Sequence, residues 1–447
     1  MGILARAAAL GRPLRVPAFR RLWLAQLVSE LGDWAARLAL SYLVYERTGS
    51  AALAGIVTAA SLIPWLGPGQ LLTVLSERWP RRRVLVTSDL VRAGTFALAS
   101  LPVPIPVLIA IVFVAGLATP PFEAARSALR PEIVPPRLFG PAVALSSMTE
   151  DLTVALGYLA GGGLLAMVGA EKALLCNAAS FALSGLLLVG LPRSAAARRS
   201  GQDGGLRQAG RELRRDPVVV RAIALVTVAM LPAAALTAMS APLVLDVLHA
   251  GPLTLGALVA LTSLVSVVLT ALLPTERPPE YLLRLAAGLT LLGGAGMVVG
   301  FTLVSALPSW RTQVVPLAYA AAGLLFVVLA PANIVVGPRL RGPVRASAFS
   351  LLMGLLTATE AAGAAGAGLA VAAFGLLPVG LALGLPALGV GAWAWRFPVG
   401  WQSPSWQSSV ATETPEFPEF PEFPESPETP ERAVRDVAGS SSGSVPS

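Results

Sequence analysis

The chain has 447 residues, 55% of them hydrophobic and 13% charged, with a mean hydropathy of +0.71 and a formal net charge of +8. A soluble domain carries about 25% charged residues, so a chain this apolar cannot cover itself with polar surface and needs lipid as its solvent. One cysteine excludes an internal disulfide, one histidine excludes a two-histidine zinc site, and no Gly-Lys-Ser/Thr phosphate loop occurs, so no metal, cofactor or ATP chemistry of its own is expected.

Residues 1–21 carry Arg6, Arg12, Arg15, Arg20 and Arg21 and read as a basic cytoplasmic N-terminus with no cleavable signal peptide. Apolar runs follow at 22–45, 51–75, 84–101, 103–121, 141–168 and 173–191, each long enough for ~30 Å of hydrocarbon. Cys176 lies in the sixth run and is expected to be a small buried hydrophobe. Residues 192–219 are rich in Arg, Gly and Ser and read as a cytoplasmic linker. Six more runs follow at 220–247, 253–273, 282–307, 313–336, 346–374 and 376–395. The sequence therefore predicts an all-α membrane protein with twelve transmembrane helices, in an N-terminal half at 22–191 and a C-terminal half at 220–396.

Beyond Arg396 lie seven Glu, one Asp and two Arg, so the remainder of the chain holds +14. That charge is not spread evenly. The N-terminus and the loops after even-numbered runs hold 25 Lys and Arg, counting Arg221 and Arg284 at run edges. Those after odd-numbered runs hold Arg47, Lys172 and Arg311. Basic residues stay on the cytoplasmic side of a membrane, so both termini and the linker are expected there, and the arginines need no nucleic acid to explain them. Residues 397–447 end the chain with ETPEFPEFPEFPESPETPER, whose proline at every third position favours a disordered, extended tail. A docking partner with aromatic-lined grooves is the other reading of that tail.

The halves echo each other. PPFEAARSALRPEIVPP and PANIVVGPRLRGPVRAS align Pro121 with Pro331, an offset of 210 residues, and set Glu123 opposite Asn333. Repeated halves are the transporter pattern, with a substrate site between them.

Charges inside a span cost about 2.5–3.5 kcal/mol each and tend to face the bundle interior. Glu30, Asp33 and Arg37 share one helical face in the first run, where Asp33 or Glu30 is a proton or cation carrier tuned by Arg37, or part of a structural ion pair. Glu150 and Asp151 open the fifth run, either as proton- or cation-binding acids or as residues of the cytoplasmic mouth that bind nothing, and are followed by Gly157, Gly161 and Gly162, which suit close helix contact. Glu360 stands alone in the eleventh run, before the small residues AAGAAGAG, and is a candidate second proton or substrate site. Asp246 and His249 close the seventh run and read as a mouth feature. Trp23, Trp34 and Trp65 suit either the membrane interface belt, the default for such residues, or the lining of a cavity.

The turn between the second and third runs, SERWPRRRVLVTSDLVR, holds Glu77, Arg78, Arg81, Arg82, Arg83, Asp89 and Arg92. These charges are expected to form a network that is made in one conformation and broken in another. The turn resembles the Gly-x-x-x-Asp-Arg-x-Gly-Arg-Arg loop of the major facilitator superfamily, with Glu77 at the acid, Arg78 at the arginine, Arg81 and Arg82 at the basic pair, and Thr73 and Pro80 where glycines stand. ERWPRRRVLVTSDLVRA and SELGDWAARLAL look like the drug-exporter branch that includes macrolide-efflux and siderophore-exporter proteins. GYLAGG is similar to that branch's Gly-Pro-x-x-Gly-Gly motif, with Tyr158 in place of proline. No nucleophile–base pair shares a helical face and the single histidine, His249, ends a span, so no enzyme is expected. The resemblance implies a secondary transporter of a bacterial inner membrane that exports a hydrophobic or amphipathic small molecule in exchange for protons. Tyr158 leaves uptake or metabolite transport open, and the tail leaves a scaffold or receptor role open.

Overall fold

The computed structural model describes residues 11–76, 78–192, 206–273, 277–336 and 344–396. Glu77 and the Pro/Glu-rich tail lie outside the described residues. Long helices fill the rest. The first six are α1 (Pro17–Thr48), α2 (Ala51–Leu66 with Pro68–Ser76), α3 (Arg81–Ala99), α4 (Ile105–Leu117 with Thr119–Ile133), α5 (Pro136–Val168) and α6 (Ala170–Val189). The second six are α7 (Pro217–Ala238), α8 (Pro252–Ala271), α9 (Pro279–Ala306), α10 (Arg311–Val327 with Leu329–Val336), α11 (Val344–Phe374) and α12 (Leu376–Arg396).

Local chemistry sets several of these boundaries. Gly49 ends α1 at φ 60°, returning its N–H to the Tyr45 carbonyl, and the Ser50 hydroxyl then accepts from the Leu53 N–H to start α2. Gly169, at φ 82°, makes the equally tight turn between α5 and α6, a backbone state that a side chain disfavours. Proline opens α1, α5, α7, α8 and α9, where its missing N–H would have no helical partner anyway.

Among the described residues nine helices are long and apolar enough to cross a membrane, ten when the bent α2 is taken as one. The other two, α1 and α3, hold Glu30, Asp33 and Arg37 and Arg81, Arg82, Arg83, Asp89 and Arg92. The fourth helix of each half breaks at the same place. Helix α4 breaks at Ala118, just before Pro120 and Pro121, and α10 at Val328, just before Pro331.

Two sequence expectations change here. The stretch after Pro121, read as a loop, is helical to Ile133, so Arg126 and Arg130 are helix residues rather than loop charges. The linker holds a ten-residue helix, Leu206–Arg215, whose Leu213 is buried while Arg211, Arg214 and Arg215 are exposed. An amphipathic pattern lets a short polar segment pack one side against the bundle.

The halves meet at the end opposite the Arg81–Arg83 turn. There α2 packs on α11, and α5 on α8. A Cβ at Gly55 would collide with the Ala364 carbonyl oxygen, and one at Gly256 would lie 2.5 Å from the Tyr158 carbonyl oxygen. One at Gly162 would lie 2.8 Å from the Pro252 carbonyl oxygen. Only glycine permits backbones this close. The Tyr45 hydroxyl donates to Asp246 across the same seam.

Candidate functional site

Below that seam the halves enclose a cavity of about 260 Å³. Its wall is mostly apolar, with Trp34 and Tyr158 in contact at 5.4 Å between ring centroids. Hydroxyls come from Ser41, Thr58 and Tyr158 of the first half and from Thr237, Ser240, Thr262, Ser263 and Ser266 of the second, and the charged residues are Arg37, Asp151 and Glu360. Trp34 therefore belongs to the cavity rather than to an interface belt. Arg37 lies over the Trp34 ring, 4.4 Å from its centroid, and 3.7 Å from Asp33 on its own helix. Asp151 and Glu360, one from each half, have no ion pair within 4 Å among the described residues. Glu360 lies in the field of Arg37 from the facing half.

The three charges of the first run do not form one group. Glu30, one turn before Asp33, is taken by Arg126 of α4. The Arg126 guanidinium donates to Glu30 Oε1 at 2.9 Å, to Glu123 Oε2 at 2.6 Å and to Glu150 Oε1 at 3.0 Å. Thr153 donates to Glu30 Oε2 at 3.0 Å, and the Gln26 amide to Glu150 at 3.1 Å. Arg126 is only 7% exposed. Three carboxylates surround it, with Arg130 in electrostatic reach of Glu150, so this buried group holds one acid more than it holds bases. Glu150 and Asp151 are thus separated as well. A step of one residue turns a helical side chain by about 100°, sending Glu150 into the half and Asp151 into the cavity.

Arg126 and Glu123 escaped the sequence reading because their stretch resembled a basic loop. The signal was present in the Glu-x-x-Arg spacing, which pairs two charges on one face once the stretch is helical.

The charges of the turn also divide. Arg81 pairs with Glu132 and donates to the Ala128 carbonyl at 2.5 Å, and Arg82 donates to the Leu191 carbonyl at 3.0 Å. Asp89 and Arg92 form a separate buried pair at 2.6 Å, with Ser184 donating to Asp89 at 2.6 Å. The Arg92 guanidinium sits over Phe122 and Phe181, 4.3 and 4.4 Å from the ring centroids. Arg78 and Arg83 are exposed. Among the described residues of this conformation the charges fall into two groups, because Arg81 and Arg82 reach outward to the ends of α4 and α6, while Asp89 is fully buried two turns away.

Gly157 and Gly161 press on Trp34 and Ala35 of α1, whereas Gly162 presses on α8 of the other half. Cys176 is exposed on the outer face of α6, since an apolar helix in lipid has an apolar outside as well as an apolar inside. Beyond α7 a single helical turn, Ser240–Pro242, runs into a π-turn, Leu243–Val247, followed by His249 at φ 48°.

Two halves closed at one end over a central cavity define a membrane transporter of the two-bundle kind. The chain belongs to the Major Facilitator Superfamily, whose model matches residues 22–353. It is 26% identical over 176 residues to the uncharacterized MFS-type transporter YkuC of Bacillus subtilis, covering 38% of this chain and 40% of that protein. It is 23% identical over 145 residues to macrolide efflux protein A of Streptococcus pyogenes, covering 31% of this chain and 33% of that protein. The matched part is therefore well under half of each relative's length. In fold the chain is similar to a bacterial homolog of the human lysosomal transporter Spinster in an inward-facing, unoccupied conformation. The TM-score is 0.71 at 13% identity, over 91% of this chain and all of that one. A POT family transporter in complex with a thioalcohol-conjugated peptide follows at TM-score 0.66 and 11% identity, over 85% of this chain and 95% of that one.

Proposed function

We propose that this transporter exports a hydrophobic or amphipathic small molecule from the cytoplasm of a bacterium, across the inner membrane and against an inflow of protons. The observation that carries the reading is the cavity, which offers a largely apolar wall, hydroxyls from both halves and one carboxylate from each half without an ion pair among the described residues. A carboxylate can hold either a proton or a positively charged group, so Asp151 and Glu360 give a means of exchanging one for the other. The Arg126 group is a second place where an excess carboxylate can hold a proton, away from the substrate. The likeness to macrolide efflux protein A favours the export direction. The loop charges favour a cytoplasmic Arg81–Arg83 turn, which puts the end away from the seam on the side from which exported molecules are loaded.

The test uses proteoliposomes with an imposed pH gradient, following internal pH and an efflux-type dye together. The intact protein should move dye against proton flow, and Glu360→Gln should lower gradient-driven flux at least about tenfold, equivalent to ~1.4 kcal/mol. Dye moving in the same direction as protons would replace export with uptake. Gradient-driven flux unchanged in Glu360→Gln would remove the cavity carboxylate from coupling.

A further inference from the structure

Helices α9 and α12 pack antiparallel through small residues, and that packing fixes their register. A Cβ at Gly391 would lie 3.2 Å from the Ala287 carbonyl oxygen, and one at Gly294 would lie 3.1 Å from Ala387. The Trp395 ring rests on Gly288, 3.3 Å from where a Cβ would stand. Continued to the helix ends, this register sets Arg396, the last residue of α12, level with Arg284 of α9. Arg284 stands five residues into α9, about 7.5 Å along its axis and close to the thickness of one lipid headgroup layer.

Both arginines are exposed, and neither has a hydrogen bond or ion pair among the described residues. The matching end of the first half is different. There Arg82 donates to the Leu191 carbonyl at 3.0 Å and Arg21 to the Gly190 carbonyl, so both are occupied by the end of α6. Glu280 is the one acid on α9 and α12, and it is exposed with no ion pair to Arg284 within 4 Å.

Beyond the arginines the same side of the pair is apolar. The Arg284 face of α9 continues by helical spacing through Gly288, Leu292 and Val299, and the Arg396 face of α12 runs back through Gly389 to Leu385. Antiparallel right-handed helices turn these two faces to one side, as the seat of Trp395 on Gly288 requires. Leu292 and Leu385 are 63% and 58% exposed, and a Cβ at Gly389 would meet nothing within 4 Å. A furrow therefore runs up the outside of the second half, with two arginines at its foot and an indole on its floor.

We infer that this furrow binds an anionic glycerophospholipid of the leaflet on the Arg81–Arg83 side. The phosphate diester lies between Arg284 and Arg396, and an acyl chain lies along Gly389 and Leu292. Planar guanidinium forks match phosphate oxygens, and neither arginine has another partner to release first. A zwitterionic lipid carries its own cation beside the phosphate and gains less from the pair. The furrow is on the outside of the bundle, so the site stands whatever the central cavity carries.

The test is lipid binding to the detergent-purified full chain, read by native mass spectrometry. Dioleoyl phosphatidylglycerol is titrated against dioleoyl phosphatidylcholine. The intact protein should hold its first phosphatidylglycerol at least about tenfold more tightly. Arg284→Gln with Arg396→Gln should remove that preference. Arg78→Gln with Arg83→Gln takes the same charge from exposed positions of the first half and should leave it in place. Gly389→Leu fills the furrow without touching an arginine and should weaken phosphatidylglycerol several-fold, which keeps the test open should the first double variant misfold. Equal retention of the two lipids by the intact protein would overturn the site. A preference lost alike in both double variants would reduce it to diffuse surface charge. Retention unchanged in Gly389→Leu would take the acyl chain out of the furrow and overturn the site as well. Glycerol 1-phosphate displacing the lipid at equal concentration would make this a site for soluble phosphates and would overturn the lipid.

Discussion

The two halves share a helical plan but not a chemistry. In the first, Arg126 gathers three carboxylates, Arg92 and Asp89 pair in full burial, and Arg47 reaches Glu171 at 3.0 Å. The second is joined largely by small residues. A Cβ at Gly294 would lie 2.9 Å from the Gly384 carbonyl oxygen, and Tyr319 donates to Ser240 at 2.7 Å while Thr262 donates to the Tyr319 carbonyl at 3.1 Å. Its share of the cavity charge is Glu360. The difference suggests a division of labour among the described residues: buried ion pairs hold one half together, and close-packed small apolar residues the other. Apolar contacts can slide or rock without separating ions in a low dielectric, which would cost several kcal/mol per ion.

The sharpest way to break this comparison is to remove the hub of the charged half. Arg126→Leu leaves Glu30, Glu123 and Glu150 facing one another without their shared donor. Breaking a buried ion group by removing one partner costs about 3–5 kcal/mol. Thermal unfolding of the purified protein should show a large drop, and adding Glu30→Gln should recover part of it. A melt equal to that of the parent would mean the cluster does not hold this half together.

The next effect falls on the seam between halves. Gly162→Leu must push against the Pro252 carbonyl oxygen, 2.8 Å from its own Cβ. Overpacking of this kind costs about 1–3 kcal/mol. It acts only in the conformation closed at that end, so it should shift the population rather than unfold the protein. A cysteine introduced at Thr237, on the cavity wall, should become open to an impermeant maleimide added from the side opposite the Arg81 turn. Labelling no greater than in the parent would show that the seam tolerates the side chain.

A smaller effect is expected within the charged half at Asp89→Asn. The amide oxygen still accepts from Ser184 or Arg92 but cannot serve both as a carboxylate does, and Arg92 keeps its two phenyl rings. Loss of one buried, charge-assisted bond costs about 1–3 kcal/mol, read again from thermal unfolding. An unchanged melting temperature would mean that the rings alone hold Arg92.

What the sequence made legible follows from the same contrast. Twelve spans could be counted because lipid demands long apolar runs, and the repeat could be seen because Pro121 and Pro331 mark matching breaks in α4 and α10. The separate helical acids could be named, but not their partners. Glu30 and Asp33 lie one turn apart on α1, yet α4 approaches only the first of them. Asp151 and Glu150 are neighbours in sequence and face different compartments. Such assignments depend on which helix packs beside which, and span periodicity alone does not carry that information. Arg126 was obscured for a further reason. A basic residue past a proline pair has the composition of a loop, and only the continuation of α4 to Ile133 makes it a buried one.

The smallest expected change in stability belongs to Asp33→Asn, and it tests where the charged half ends and the transport site begins. Asp33 lies 3.7 Å from Arg37, with both side chains 29% exposed. A partly solvated pair at that distance is worth about 0–1 kcal/mol, so the melting temperature should barely move. Arg37 has a second hold on the Trp34 ring and faces Glu360 across the cavity. Freed from Asp33, it should turn its charge more fully toward Glu360 and compete there with a cationic substrate. The variant should therefore bind such a substrate more weakly, while the protein stays as stable as the parent. A large drop in stability with binding intact would assign Asp33 to the scaffold alongside Arg126. Weaker binding at unchanged stability would instead place the boundary between scaffold and cavity within one turn of α1, between Glu30 and Asp33.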